Sequence, residues 1–84
     1  MTTLDDAELE RRILVLLESR PRTSTICPSD VARDIASDDW RPLMEPVRQA
    51  AGRLVDRGRV EITQQGSVVD LATVKGPIRI RLPR

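Results

Sequence analysis

The sequence predicts a small α+β domain in which three helices are followed by a β-hairpin. Three observations lead to this fold class. Apolar residues recur at helical spacing in three segments of residues 5–57, whereas they alternate with polar residues over 59–82. Pro28 is suited to the first position of a helix, and Gly58 to the residue that ends one. The length of 84 residues fits a single domain over 1–84 with one small core.

The composition excludes several classes of protein. The single cysteine cannot form an internal disulfide, which is compatible with a reducing cytoplasm. No segment approaches the roughly 18 apolar residues of a membrane span. The N-terminal segment is acidic and lacks the apolar core of a signal peptide. We therefore expect a cytoplasmic protein with no membrane partner.

Charge is unevenly distributed along the chain, although the net charge is only +1. Residues 1–45 carry six arginines against ten acidic residues (−4), and residues 46–84 carry seven arginines and one lysine against three acidic residues (+5). This polarity permits a local basic surface without predicting indiscriminate binding to nucleic acid.

The first helix is predicted over residues 5–19. Leu9, Ile13, Leu16 and Leu17 recur at the spacing of one helical face. This apolar stripe has two interpretations, a face of the core or the seam of a dimer. Core packing is favoured, because a chain this small has few other apolar residues.

The second helix is predicted over 28–36, with Cys27 as its N-cap and a short strand at Thr25 and Ile26 before it. A thiol at a helix N-terminus can be nucleophilic or redox-sensitive. The chain has no histidine to act as its base, which excludes Cys–His catalysis. We favour a structural role for Cys27.

The third helix is predicted over 45–57, after a one-turn helix at 40–44. Pro46 is expected to separate the two, because proline lacks an amide hydrogen and clashes with the preceding turn. Gly52 is unfavourable within a helix, so it predicts a close approach by DNA or by a neighbouring helix. Trp40 is expected to anchor the core.

The last segment, 59–82, is predicted to form a β-hairpin wing. Val60 and Ile62 alternate with polar residues in its first strand, and Gln65-Gly66 is a turn signal. The alternation returns over 77–82, where three apolar residues share one face and Arg79 and Arg81 share the other.

No known catalytic pattern is present in the sequence. It lacks a phosphate-binding glycine loop, a Ser/His/Asp set and any histidine, and one cysteine cannot supply a soft metal site. We therefore expect no enzymatic activity, no catalytic residue, no metal and no cofactor, and we find no pattern for a small-molecule ligand.

The order helix, turn, helix, strand over 27–60 is typical of a winged helix-turn-helix, a fold that most often binds nucleic acid. The basic and amide side chains fit this function, because arginine pairs with guanine and glutamine with adenine in the major groove. The predicted DNA-binding residues on the third helix are Arg48, Gln49 and Arg53. The predicted phosphate contacts on the wing are Lys75, Arg79 and Arg81.

Each of these groups has an alternative interpretation. The residues of the third helix could form a solvated face, and those of the wing could protect an edge strand from aggregation. A protein-interaction or dimerisation module with the same fold and no affinity for DNA is the alternative function. The expected partner is therefore double-stranded DNA, and a homodimer remains open.

Residues 13–82 resemble a family of short bacterial proteins that is described only as a domain of unknown function with a winged-helix-like fold. The residues that carry the resemblance are ICPSDVAR (26–33), DDWRPLM (38–44), VRQAAGRLVDRGRVEITQQG (47–66) and KGPIRIRL (75–82). The resemblance implies the fold and no specific activity. Gly58-Arg59-Val60 is similar, more distantly, to the start of the wing in winged-helix transcription regulators, which implies DNA binding and transcription regulation.

Overall fold

A computed structural model describes residues 5–83 and confirms the α+β class. Three helices and an antiparallel sheet of four strands form an arrangement compatible with a winged helix. The elements, in chain order, are α1 (Asp6–Glu18), β1 (Thr25–Ile26), α2 (Pro28–Ile35), a 3-10 helix (Arg41–Leu43), α3 (Met44–Asp56), β2 (Glu61–Gln64), β3 (Ser67–Val68) and β4 (Arg79–Arg81).

Helix α1 begins one residue later than predicted, because Asp5 is its N-cap. The Asp5 carboxylate accepts a hydrogen bond of 2.8 Å from the backbone amide of Glu8. Glu8 in turn binds Arg11 and Arg12 one turn further along the helix. These two guanidinium groups lower the pKa of Glu8 to about 2. The first two turns of α1 are therefore held by local polar contacts.

Helix α2 has the predicted N-cap, Cys27, followed by Pro28 in the first helical position. The Cys27 amide donates a 2.8 Å hydrogen bond to the Asp30 carboxylate, which satisfies a backbone donor at the helix start. The helix ends at Ile35, one residue before the predicted end.

The predicted one-turn helix before α3 is present as the 3-10 helix, and α3 begins at Met44, one residue earlier than predicted. Pro46 therefore lies in the first turn of α3 and not between the two elements. Proline is tolerated in the first turn of a helix, where amides lack an α-helical partner. At the other end, Gly58 has a φ of 70°, and its amide and that of Arg59 bond the carbonyl oxygens of Val55 and Leu54, both at 2.9 Å. This is the glycine-terminated helix end that the sequence predicts.

The sheet has the strand order β1-β4-β2-β3, and every pairing is antiparallel. Strand β4 therefore lies at its centre, and the chain from β2 to β4 passes through the short strand β3. Ile26, Ile80 and Ile62 are paired across three strands and are all buried. Strands β2 and β4 are shorter than predicted. Val60 and Ile78, which lie directly before these two strands, are nevertheless buried.

The core lies between the three helices and the inner face of the sheet. Helix α1 contributes Leu9, Ile13 and Leu17 as predicted, whereas Leu16 is only half-buried. Val55 of α3 is exposed, because it lies at the edge of the apolar stripe. Trp40 packs against the core and is half-buried. The fully or nearly buried apolar residues are Leu9, Ile13, Leu17, Ile26, Val31, Ala32, Val47, Ala50, Ala51, Leu54, Val60, Ile62, Ile78 and Ile80.

Among the helices within residues 5–83, none has both the length and the apolar character that crossing a membrane requires.

Candidate functional site

An open groove of about 580 Å³ runs between α3 and the loop that follows β3. Helix α3 forms one wall with its solvent-facing side, and residues 69–72 form the other. The groove is lined by Glu45, Arg48, Gln49, Gly52, Arg53, Val55, Asp56, Val69, Asp70, Leu71 and Ala72. All three residues of α3 predicted to read DNA therefore lie along one surface feature.

Gly52 faces Leu71 of the opposite wall. A Cβ atom built on it would lie 3.5 Å from the Leu71 side chain, an ordinary van der Waals distance. The close approach predicted from Gly52 is thus made by a loop, and the expectation of a neighbouring helix is wrong. The space at Gly52 accommodates a methyl group.

The groove has mixed charge. Three carboxylates line it, those of Glu45, Asp56 and Asp70, against the two guanidinium groups of Arg48 and Arg53. Asp70 is fixed by its own loop, since its carboxylate accepts a 2.9 Å hydrogen bond from the Ala72 amide. The lining residues alone therefore carry a net charge of −1, from two positive and three negative groups.

Arg48 and Gln49 are free to bind an external partner. Arg48 is half-buried and Gln49 is exposed, and within residues 5–83 neither side chain has a hydrogen bond or an ion pair. Both project from the N-terminal half of α3, which follows the 3-10 helix. They combine one positive charge with one amide.

Arg53 is instead bound to α1. Its Nε donates to the Glu10 carboxylate at 2.5 Å, and its Nη2 lies 3.5 Å from Asp6 without hydrogen-bonding geometry. Arg57 binds the other oxygen of the same carboxylate. Glu10 is only 9% exposed, and the hydrogen bonds from Arg53 and Arg57 lower its pKa. This Glu10 network joins α3 to α1, and it occupies the guanidinium that was predicted to read DNA.

Arg79 and Arg81 lie on the outer face of the sheet, at a distance from the groove lining. Arg79 donates to the Thr25 hydroxyl at 2.8 Å, to the Thr25 carbonyl at 3.2 Å and to the Cys27 sulfur at 2.7 Å. Arg81 donates to the Glu61 carboxylate at 2.8 Å. Arg79 thus keeps a charge that no carboxylate neutralises within residues 5–83, whereas the charge of Arg81 is paired.

Lys75 is exposed in the loop before β4. Its carbonyl oxygen accepts a 2.6 Å hydrogen bond from the Gln64 side chain, which holds the loop against β2. Its ammonium group forms no ion pair in the described part of the chain. The three predicted wing residues and the three residues of α3 are not brought together in one pocket.

Cys27 borders a smaller hollow together with residues of the β2–β3 turn and β4. Its thiol is half-buried, and its contact is with Arg79. Residues 5–83 contain no group of three or more acidic or sulfur ligands that could hold a metal ion. The backbone amide of Cys27 makes the contact of a helix cap, and its thiol contacts the sheet through Arg79.

A cluster at the turn between α2 and α3 was not expected from the sequence. The guanidinium carbons of Arg33 and Arg41 lie over the Trp40 ring, at 4.4 and 4.6 Å from its centroid. Both arginines are exposed. The sequence does hold a sign of this contact, because the one aromatic residue of the chain, Trp40, is followed by an arginine. Trp40 was interpreted only as a core anchor, so a contact with arginine was not predicted.

Comparison with known proteins places the chain in a family without assigning an activity. No curated protein matches it. The family described as "Protein of unknown function (DUF3253)" matches residues 6–83, nearly the whole chain. The chain belongs to this family, DUF3253.

Proposed function

We propose that the protein binds double-stranded DNA through α3, as a winged-helix protein with a role in transcription regulation. The observation that carries this proposal is the free state of Arg48 and Gln49. Both lie on the solvent side of the second helix of a helix-turn-helix, the element that enters the major groove in this fold.

The chemistry of the two side chains suits base recognition. A guanidinium group forms bidentate hydrogen bonds with guanine, and a carboxamide does so with adenine. Arg53 is left out of the proposed contact set, because its charge is already paired with the Glu10 carboxylate. The base-contacting residues that we propose on α3 are therefore two, Arg48 and Gln49.

Backbone contacts in this proposal come from Lys75 and Arg79. Each carries a positive charge that no carboxylate neutralises within residues 5–83, and phosphate binding depends on such free charges. Arg81 contributes less, because its charge is paired with Glu61. A homodimer would present two α3 helices to two half-sites, one turn of DNA apart.

A second function, a protein-interaction module, is favoured by the lining of the groove. Its apolar residues, such as Leu71 and Val55, lie between three carboxylates that would repel DNA phosphates. A basic segment of a partner protein would complement this surface. This is the alternative that a binding experiment has to exclude.

The test is the affinity of the full chain for a labelled random-sequence duplex, measured by fluorescence anisotropy over a series of salt concentrations. DNA binding predicts an affinity that falls steeply as salt rises, with a slope of about −0.9 for each phosphate contacted. Replacing Arg48 and Gln49 with alanine is expected to lower the affinity, chiefly through the lost positive charge of Arg48, because binding to a random sequence is mainly electrostatic. Arg59→Ala is the matched control, since Arg59 is exposed, lies outside the groove and has no ion pair in residues 5–83.

Glu45→Gln separates the two functions. If DNA binds against α3, removing the Glu45 carboxylate relieves its repulsion of the phosphates and raises the affinity for the duplex. If no binding is detected at low salt for either the native chain or this variant, the DNA proposal is wrong, and the protein-interaction module takes its place.

A further inference from the structure

A cluster of two arginines and one tryptophan lies at the turn between α2 and α3, outside the groove. Arg33 extends from the last turn of α2, and Arg41 begins the 3-10 helix that runs into α3. Both guanidinium groups lie over the half-buried Trp40 ring, which packs against the core. We name these three residues the tryptophan cluster.

The arginines of the tryptophan cluster are held in place without being neutralised. Within residues 5–83 neither Arg33 nor Arg41 forms an ion pair, although Asp34, Asp38 and Asp39 are close in sequence. Asp34 lies instead 3.6 Å from Arg12 of α1. Both arginine side chains are exposed, so N–H donors of each remain accessible to a ligand.

Arg41 of the tryptophan cluster lies on the same side of the helical segment as Arg48, one of the proposed base-contacting residues. Arg41 precedes Arg48 by seven residues along a continuous helical segment. That spacing corresponds to about two turns and roughly 10–12 Å, so the two side chains project from similar directions. A duplex contacted by Arg48 would therefore have its backbone within reach of the helix turn.

We infer that the tryptophan cluster is a preformed phosphate-binding element, in which Arg33 and Arg41 bind the backbone of the DNA that α3 reads. The inference rests on the proposed function. Phosphate is the matching ligand because a planar guanidinium binds two of its oxygens at once. Stacking on a ring fixed by the core reduces the side-chain entropy that such a contact would cost.

The test compares Arg33→Ala and Arg41→Ala with the native chain in the anisotropy titration over a salt series. Each substitution is expected to lower the affinity about 5- to 10-fold near 0.1 M salt and to reduce the salt slope by about 0.9, the value of one lost phosphate contact. Asp39→Asn is expected to raise the affinity, because it removes an exposed negative charge beside the cluster. Arg33→Lys and Arg41→Lys keep the positive charge and should therefore retain the slope that the alanine variants lose.

Arg59→Ala is again the control, and thermal unfolding checks that every variant is folded. If both alanine variants keep the native slope while Arg48→Ala loses affinity, the cluster only covers Trp40 and the inference is wrong, whereas the proposed function stands. If the native chain does not bind the duplex at low salt, both the proposed function and the inference are wrong. A loss of slope in either folded alanine variant supports the inference.

Discussion

The two ends of α3 use their arginines in opposite ways. Toward the C-terminal end, Arg53 and Arg57 share the Glu10 carboxylate of α1 and help to hold two helices together. Toward the N-terminal end, Arg48 has no partner within residues 5–83, and Arg41 lies over Trp40. The C-terminal end of α3 uses its arginines to stabilise the fold, and the arginines at the N-terminal end have no ion-pair partner in residues 5–83.

This difference shows why a count of arginines predicts little about binding. A guanidinium that shares a nearly buried carboxylate would have to give up that hydrogen bond before it could contact a base or a phosphate. A guanidinium over an aromatic ring loses much less, because its N–H groups already face water. The partner of each arginine, more than the number of arginines, therefore indicates which part of α3 is available to a ligand.

The largest expected effect comes from removing the acceptor that fixes the C-terminal end. Glu10→Ala leaves Arg53 and Arg57 without their shared carboxylate and should lower the free energy of unfolding by about 1–3 kcal/mol. Urea denaturation at neutral pH measures this loss. Glu18→Ala is the control, because Glu18 is exposed on the same helix and has no ion pair in residues 5–83. An equal loss in both variants would mean that the Glu10 network contributes no specific stability.

The pH dependence of the same network gives the next largest effect. Arg53 and Arg57 lower the pKa of Glu10 below its ordinary value of 4.5, so its stabilising contribution is complete above that value. It is lost as the pH falls through the lowered pKa, where Glu10 becomes protonated in the folded chain. The stability difference between the native chain and Glu10→Gln should therefore be constant from pH 7 to about 5.5 and shrink below 4.5.

Comparison with Glu10→Gln isolates this one carboxylate. Glu8, whose pKa is also lowered by its arginine partners, is present in both chains and cancels in the difference. Denaturation curves at several pH values measure it. A difference that grows as the pH falls would contradict the lowered pKa of Glu10.

Local signals in the sequence predicted the fold well. The proline after Cys27 and the glycine at position 58 define helix ends by their own backbone chemistry, and both lie where they were expected. The one-turn helix before α3 was also expected, and only the place of Pro46, in the first turn of α3 and not at the junction, differs from the prediction. The central position of β4 was also missed, since strand order depends on long-range pairing that no local pattern encodes.

The candidate site was only partly predictable for the same reason. Helical spacing placed Arg48, Gln49 and Arg53 on one surface, as the groove lining shows. The same spacing could not reveal that Glu10, 43 residues away, binds Arg53. Nor could it show that Arg33 meets Trp40, because that contact depends on how the turn between two helices folds back. Patterns within one element were predictable, and contacts between elements were not.

Gly52, which lies between the two ends of α3, gives a smaller effect of opposite sign. Gly52→Ala should raise the free energy of unfolding by about 0.5–1 kcal/mol, because alanine favours the helix and its methyl group meets only Leu71 at 3.5 Å. Gly58→Ala is the matched control and should lower stability by about 1–2 kcal/mol, since its φ of 70° disfavours any side chain. A loss of stability in Gly52→Ala would mean that the loop at Leu71 cannot yield even slightly.

Arg48→Ala is expected to have the smallest effect on stability, within about 0.5 kcal/mol of the native chain. The side chain has no partner to lose in residues 5–83, and alanine is at least as favourable in a helix as arginine. Arg57→Ala should cost more, about 0.5–1 kcal/mol, because it removes one of the two donors to Glu10, although that arginine is itself largely exposed. Thermal and urea denaturation of the two variants measure the contrast. If Arg48→Ala destabilises the protein as much as Arg57→Ala does, Arg48 also stabilises the fold. The contrast between the two ends of α3 is then wrong.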